Sequence, residues 1–179
     1  MLFRSSTVVS GFDWATAVAS PSGGTFSFNV AGIPAALQFY DVQVRDGGNT
    51  SITDTSDPFA VGALVAVTGQ SNGVYMFSGS ANGQTANANL RVYGNSITGW
   101  AVPTYAGSIA LGNDLIAAMG VPVALINTAV GGTAISSWVP PVSGSNSYTG
   151  GLGVINALGG KLEGIVWVQG EIGRASCRE

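Results

Sequence analysis

Ser71 stands in a turn after an apolar run, where its hydroxyl could act as a nucleophile. Residues 61–67 read VGALVAV, and the turn that follows reads TGQSNG. A seryl hydroxyl attacks poorly at neutral pH unless a base accepts its proton. The 179 residues contain no histidine. Either Ser71 is not catalytic or its base lies outside this sequence, and we favour the second interpretation.

Two later apolar runs also end in a glycine beside a polar side chain. Residues 123–129 lead into Gly-Gly-Thr at 131–133, and residues 164–168 lead into Gln-Gly-Glu at 169–171. In open parallel sheets, ligands bind at the carboxyl ends of the strands. The three endings together therefore predict one site more strongly than any of them does alone.

The region from residue 59 onward predicts an α/β fold. The three apolar runs lack alternation, as do strands that are covered on both faces. A helix is predicted between the first two runs, because apolar residues recur there at helical spacing: Tyr105, Ile109, Leu115, Ile116 and Met119. Gly120 follows as a C-cap and Pro122 as a stop. Leu152, Ile155 and Leu158 predict a second, short helix. Strands alternating with helices indicate a parallel sheet.

Residues 1–58 show a different pattern, with short alternating runs separated by turns. Phe26, Phe28 and Val30 alternate with polar residues, as Val42 and Val44 do, and Asp-Gly-Gly-Asn at 46–49 predicts a turn. This pattern is typical of an antiparallel sheet with one face in water. We predict a partial β-sandwich segment over residues 1–58 and the α/β domain over residues 59–171.

The end of the chain differs from everything before it. Glu171 and the residues after it read EIGRASCRE, which back-translates to a short-read sequencing adapter, as could arise in a metagenomic gene assembly. We interpret residues 172–179 as a non-native tail and exclude them from the fold. The identity of Glu171 depends on the same junction.

Composition excludes several classes of function. The chain is 46% hydrophobic and 8% charged, with six basic residues and a net charge of −3. So few scattered basic residues argue against nucleic acid or an anionic membrane as partner. The single cysteine, Cys177, lies in the tail, and without histidine or clustered carboxylates we expect no metal site. No apolar run reaches the roughly 20 residues of a membrane span.

The ordered set of three strand endings resembles the SGNH-hydrolase superfamily, specifically the sialate O-acetylesterase-like carbohydrate esterases. Members show Gly-Gln-Ser-Asn, then Gly-Gly-Thr after a Val-Pro-Val-x-Leu-Ile strand, then Trp-x-Gln-Gly-Glu. Here these are residues 69–72, 121–133 and 167–171. The resemblance implies a three-layer, flavodoxin-like parallel sheet, incomplete in this chain, and a β-sandwich segment beside it would suit residues 1–58. The family's Asp-x-x-His segment is absent, so we expect a C-terminally truncated fragment that is inactive alone.

The resemblance also implies acyl transfer from an O-acetylated carbohydrate, without a cofactor. Ser71 would be the nucleophile, and the oxyanion would be bound by the N–H groups of Ser71 and Gly131 and by the side-chain amide of Gln169. Asn72 and Glu171 would order the site. A secreted or periplasmic location suits such an enzyme.

Each residue also has a purely structural interpretation. Ser71 could be a helix N-cap, the Gly-Gly-Thr segment only a turn, and Gln169 a partner of local backbone groups. Asn72 could be a turn residue with unusual backbone angles. Trp138 and Trp167 would more often be core residues than sugar platforms, although Trp138 is the better candidate for a cleft wall.

Two other functions remain open at this point. The Gly-x-Ser-x-Gly pattern at 69–73 also fits the nucleophile elbow of α/β-hydrolases. The SGNH-type interpretation is favoured because Ser71 follows the first parallel strand and the oxyanion glycine comes after it. The chain could instead be a carbohydrate-binding or structural protein with a degenerate hydrolase-like scaffold, which an Asp-x-x-His in downstream sequence would argue against.

Overall fold

A computed structural model describes residues 2–4, 7–12, 14, 25–94 and 97–169, and the structural statements below concern these residues. The chain divides into two compact units, Met1–Val61 and Gly62–Glu179. Glu171 and the predicted tail at 172–179 lie outside the described residues.

The first unit contains a four-stranded antiparallel sheet, which confirms the antiparallel character predicted for this segment. Its strands, in the spatial order β2-β1-β3-β4, are β1 (Leu2–Arg4), β2 (Thr7–Val8), β3 (Asp41–Arg45) and β4 (Thr53–Thr55). After β3, the Asp46 carboxylate accepts hydrogen bonds from the N–H groups of Gly48 at 2.6 Å and Asn49 at 3.0 Å. Aspartate closes turns in this way, so the predicted turn at 46–49 is present.

The strand predicted from the alternation at Phe26, Phe28 and Val30 is wrong. Residues 25–39 contain no strand, and Phe26 is 50% exposed. Its ring lies against that of Phe28, with centroids 6.1 Å apart. Alternation decides which way side chains would point, but a strand also needs a neighbour that pairs with its backbone N–H and C=O groups.

The second unit is built on a five-stranded sheet that is parallel except for one edge strand. The strands are β5 (Ala63–Gly69), β6 (Leu90–Gly94), β7 (Ile97–Ala101), β8 (Val123–Asn127) and β9 (Gly164–Val168), in the order β7-β6-β8-β5-β9. Strand β7 pairs antiparallel with β6, and the other neighbours are parallel. The predicted α/β fold and its three parallel strands are confirmed, whereas the β6–β7 hairpin was not predicted.

The helices connect and cover the parallel strands. They are α1 (Ser71–Tyr75), α2 (Ala106–Met119) and α3 (Ser147–Ala157), with a 3₁₀ helix at Ile135–Trp138. Gly120 ends α2 in the left-handed conformation, with φ of 68°, as predicted from its position after the apolar pattern. Asn146 starts α3 with a reciprocal capping box to Thr149.

One face of the sheet and helix α2 enclose the main core of this unit. Val67, Leu90 and Leu125 are fully buried there with Ile116 of α2. A Cβ on Gly112 of α2 would overlap the methyl groups of Leu90, so the helix lies close against β6. Each such buried side chain contributes about 1.5–3 kcal/mol, which fixes the strand register and therefore where each strand ends.

Candidate active site

The strands that precede Ser71, Gly131 and Gln169 end at the same edge of the sheet. Strand β5 lies between β8 and β9, and its last residue, Gly69, pairs with Val168 at the end of β9. On the other side, Val67 pairs with Asn127 at the end of β8. The segments that carry Ser71, Gly131 and Gln169 therefore follow three strands that are neighbours in the sheet.

Backbone hydrogen bonds continue this contact beyond the strands. The N–H of Gln70 donates to the carbonyl of Val168 at 2.8 Å, and the N–H of Val130 donates to the carbonyl of Gly69 at 2.9 Å. The turn that carries Ser71 is thus bonded to the segment before Gln169 and to the segment before Gly131.

Two glycines let the Ser71 turn approach its neighbours. Gly69 has a φ of 117°, and a Cβ there would overlap the carbonyl oxygen of Val168. A Cβ on Gly73 would lie 2.8 Å from the Cβ of Ala129, which is closer than carbon atoms pack. Ser71 lies between these two contacts along the chain, so the ends of β8 and β9 both constrain its backbone.

Ser71 is the first residue of α1, and the N-cap position belongs to Gln70, which is extended with φ of −98° and ψ of −158°. The alternative in which Ser71 is the N-cap is therefore wrong. Asn72 is exposed and helical, and its carbonyl accepts from the N–H of Met76 at 3.2 Å. Asn72 is consequently not a turn residue with unusual backbone angles.

The turn after β8 differs in having open space around its glycines. Gly131 is exposed, and a Cβ there would meet no atom of the described chain within 4 Å. Gly132 has a φ of 72°, which fits its interpretation as a turn residue. The positive φ at Gly132 reverses the chain, whereas Gly131 borders a space that a ligand could enter.

Thr133 links this turn to the end of β9. Its hydroxyl donates to the carbonyl of Val130 at 2.7 Å and accepts from the indole Nε1–H of Trp138 at 3.1 Å. Its own carbonyl accepts from Nε2 of Gln169 at 3.4 Å. These bonds could not be predicted from the hydroxyl, indole and amide groups alone, because Gln169 is far from Thr133 along the chain.

Trp138 and Trp167 form an aromatic pair beside these bonds. Their ring centroids lie 5.4 Å apart with the ring planes perpendicular, a favourable edge-to-face arrangement. Trp167 is 44% exposed, so the expectation that it is a core residue is wrong. Trp138 is half-buried, consistent with the wall of a cleft.

The described part of the site carries no charged side chain. Residues 69–73, 129–133 and 167–169 contain no Asp, Glu, Lys or Arg, and Glu171 lies outside the described residues. Within the described residues, no three His, Cys, Asp or Glu side chains are grouped so as to hold a metal ion.

A separate cavity of about 410 Å³ opens next to this edge of the sheet. It lies between the end of β8 and the start of α3, lined by residues 127–130 with Asn146, Ser147, Gly150, Gly151 and Val154. The cavity shares Ala129 and Val130 with the candidate site, whereas Ser71, Gly131 and Gln169 are not among its lining residues. No helix in the described part of the chain is long and apolar enough to cross a membrane.

Comparison with known proteins gives a family match and several similar solved structures. Residues 62–177 match the family described as carbohydrate esterase, sialic acid-specific acetylesterase. A carbohydrate acetylesterase from Xanthomonas citri is similar with a TM-score of 0.51 and 19% identity, over 81% of this chain and 39% of that one. A protein from Arabidopsis thaliana is similar with a TM-score of 0.41 and 17% identity, over 61% of this chain and 58% of that one. No match was found among curated proteins.

Proposed function

The chain belongs to the carbohydrate esterase family of sialic acid-specific acetylesterases, and we propose that it carries the part of the acetylesterase site that attacks the ester. The substrate is an O-acetylated carbohydrate, and Ser71 is the nucleophile. The observation that supports this most is the backbone bonding of the Ser71 turn to both Val130 and Val168. Those bonds hold the three candidate segments at one edge of the sheet.

The chemistry is acyl transfer to the serine oxygen. Ser71 Oγ forms a bond to the acetyl carbon, and the proton of the hydroxyl passes to a base. The ester C–O bond then breaks, and the base returns that proton to the departing oxygen, so that the sugar leaves as an alcohol. Water then removes the acetyl group from Ser71. The charge that forms on the carbonyl oxygen is bound by the N–H groups of Ser71 and Gly131 and by the Gln169 amide. One such donor is typically worth about 3 kcal/mol.

In our proposal the base is a histidine that is not among these 179 residues, which contain none. In our proposal the chain alone does not turn over a sugar acetate, but it still holds the nucleophile and the oxyanion donors. Imidazole in solution can serve as the missing base for an activated acetate ester.

Acetylation of Ser71 by p-nitrophenyl acetate in imidazole buffer tests this proposal. Peptide mapping by mass spectrometry follows the acetyl group on Ser71, and Ser80, an exposed serine whose hydroxyl bonds to Asn82 at 2.6 Å, is the internal control. We expect Ser71 to be acetylated much faster than Ser80. The Gln169→Met variant, which keeps the length of the side chain but loses the amide donor, should slow Ser71 by about a hundredfold and leave Ser80 unchanged. Equal rates at the two serines would contradict the proposal.

A second candidate function is carbohydrate binding without hydrolysis. The exposed face of Trp167 favours it, since aromatic rings present flat apolar surface to ligands. In that case an acetylated sugar binds, Trp167→Ala abolishes binding, and Ser71 is acetylated no faster than Ser80.

A further inference from the structure

We propose that Thr133 is a positioning residue that fixes the orientation of the Gln169 amide relative to the Gly131 turn. This inference rests on the proposed function for its catalytic consequence. Its structural part stands on the three hydrogen bonds of Thr133 and can be tested separately.

The hydroxyl of Thr133 holds the turn in one conformation. A threonine hydroxyl has one hydrogen to donate and lone pairs to accept. Here the hydrogen goes to the carbonyl of Val130 at 2.7 Å, and a lone pair receives the indole N–H of Trp138 at 3.1 Å. The first bond spans Gly131 and Gly132, two residues that have no side chains of their own to restrain them.

The carbonyl of Thr133 then selects one of the two orientations of the Gln169 amide. A carbonyl oxygen can only accept, so the group that faces it must be Nε2 rather than Oε1. Nε2 lies 3.4 Å from that carbonyl, while Oε1 is buried and has no hydrogen-bond partner among the described residues. The N–H end of Gln169 is therefore turned toward the loop that contains Gly131, which is the end an oxyanion requires.

A second contact supports the same alignment. Trp138, bonded to the Thr133 hydroxyl, meets Trp167 edge-to-face at 5.4 Å. Trp167 lies on β9 two residues before Gln169, and Gln169 in turn donates to the carbonyl of Thr133. Loss of the hydroxyl would release both contacts together.

The test compares Thr133→Val with Thr133→Ser. Valine keeps the shape of threonine and removes the hydroxyl, whereas serine keeps the hydroxyl and removes the methyl group. We expect ¹H–¹⁵N spectra of the 179-residue chain to show shifted signals for the Trp138 indole N–H and the Gln169 side-chain amide in Thr133→Val. Thr133→Ser should leave both signals near their wild-type positions. An unchanged Gln169 amide signal in Thr133→Val would overturn the inference, whatever the protein does to esters.

The catalytic consequence is read from acetylation of Ser71 by p-nitrophenyl acetate in imidazole buffer. Thr133→Val should lower the limiting acetylation rate by about tenfold, because a displaced donor serves the transition state poorly. The ester concentration for half-maximal rate should change by less than about twofold, and Thr133→Ser should restore the rate. A shifted Gln169 signal with an unchanged rate would overturn the positioning role. If Ser71 of the wild type is acetylated no faster than other serines, the proposed function is contradicted. The orientation of the Gln169 amide by Thr133 is then judged from the ¹H–¹⁵N spectra alone.

Discussion

The two glycine-containing turns at the sheet edge, residues 69–73 and residues 130–133, use glycine for different reasons. In the first turn, a side chain at Gly69 or Gly73 would collide with Val168 or Ala129. In the second, a side chain at Gly131 or Gly132 would meet no atom of the described chain within 4 Å. The first pair is required for packing, whereas Gly131 leaves room beside the protein.

This difference predicts that substitutions in the first turn change the stability of the fold, whereas substitutions at Gly131 change the reaction at Ser71. Substitutions in the first turn should lower the free energy of unfolding or move Ser71, because its neighbours are backbone atoms and the side chain of Ala129. Substitutions at Gly131 should leave the fold intact and affect only what enters the space beside it. Four variants with single added methyl groups test this contrast.

Gly69→Ala should have the largest effect. Its Cβ would overlap the carbonyl oxygen of Val168, and its φ of 117° is strained for any L-residue. We expect a loss of about 3 kcal/mol or more in the free energy of unfolding, measured with urea. A variant as stable as wild type would show that β5 and β9 do not meet as described.

Gly73→Ala should be less severe. Alanine gains about 1 kcal/mol of helix propensity over glycine, but its Cβ would lie 2.8 Å from that of Ala129, and overpacking costs about 1–3 kcal/mol. We expect a net loss of about 1 kcal/mol. The double variant Gly73→Ala with Ala129→Gly removes the collision, so it should recover that loss in a double-mutant cycle. Additive effects would contradict the contact between the Ser71 turn and the end of β8.

Gly132→Ala should cost about 1 kcal/mol of unfolding free energy, from its φ of 72° alone. No steric collision adds to this cost. The Gly132→Asn variant, whose side chain tolerates the left-handed region better, should lose less. Equal losses for alanine and asparagine would show that backbone conformation is not the cause.

Gly131→Ala should have the smallest effect on stability, within about 0.5 kcal/mol. Gly131 has no positive φ, and its surroundings are open. If its N–H binds the oxyanion, the added methyl group crowds the ester and slows Ser71 acetylation by about tenfold. Unfolding and acetylation measured on the same preparation check both statements. An unchanged acetylation rate would remove Gly131 from the proposed site.

The sequence predicted those parts of the fold where a pattern and a stop signal coincide. Strand β9 at Gly164–Val168 and the end of α2 at Gly120 lie where predicted. The β6–β7 hairpin was missed because its strands, LRVYG and ITGWA, each contain a polar residue and a glycine and so form no continuous apolar run. Their pairing register also shifts between Val92 and Gly94. The strand predicted at 26–30 failed because alternation does not supply a pairing neighbour.

The site was predictable only as an arrangement of strand ends. Polar residues after three apolar runs place Ser71, Gly131 and Gln169 at one edge, since parallel strands share their direction. The bonds of Thr133 to Trp138 and Gln169 were not predictable, because they depend on the path of the loop and the rotamers of its side chains. Glu171, predicted to order the site, remains a prediction.

A crystal structure of the chain with Ser71 phosphonylated by a p-nitrophenyl alkylphosphonate tests the central claim most directly, because the phosphonyl oxygen stands in for the oxyanion. We predict that this oxygen lies within about 3.1 Å of the N–H groups of Ser71 and Gly131 and of Nε2 of Gln169. A phosphonyl oxygen that points into solvent, with Gly131 and Gln169 out of reach, would contradict the account.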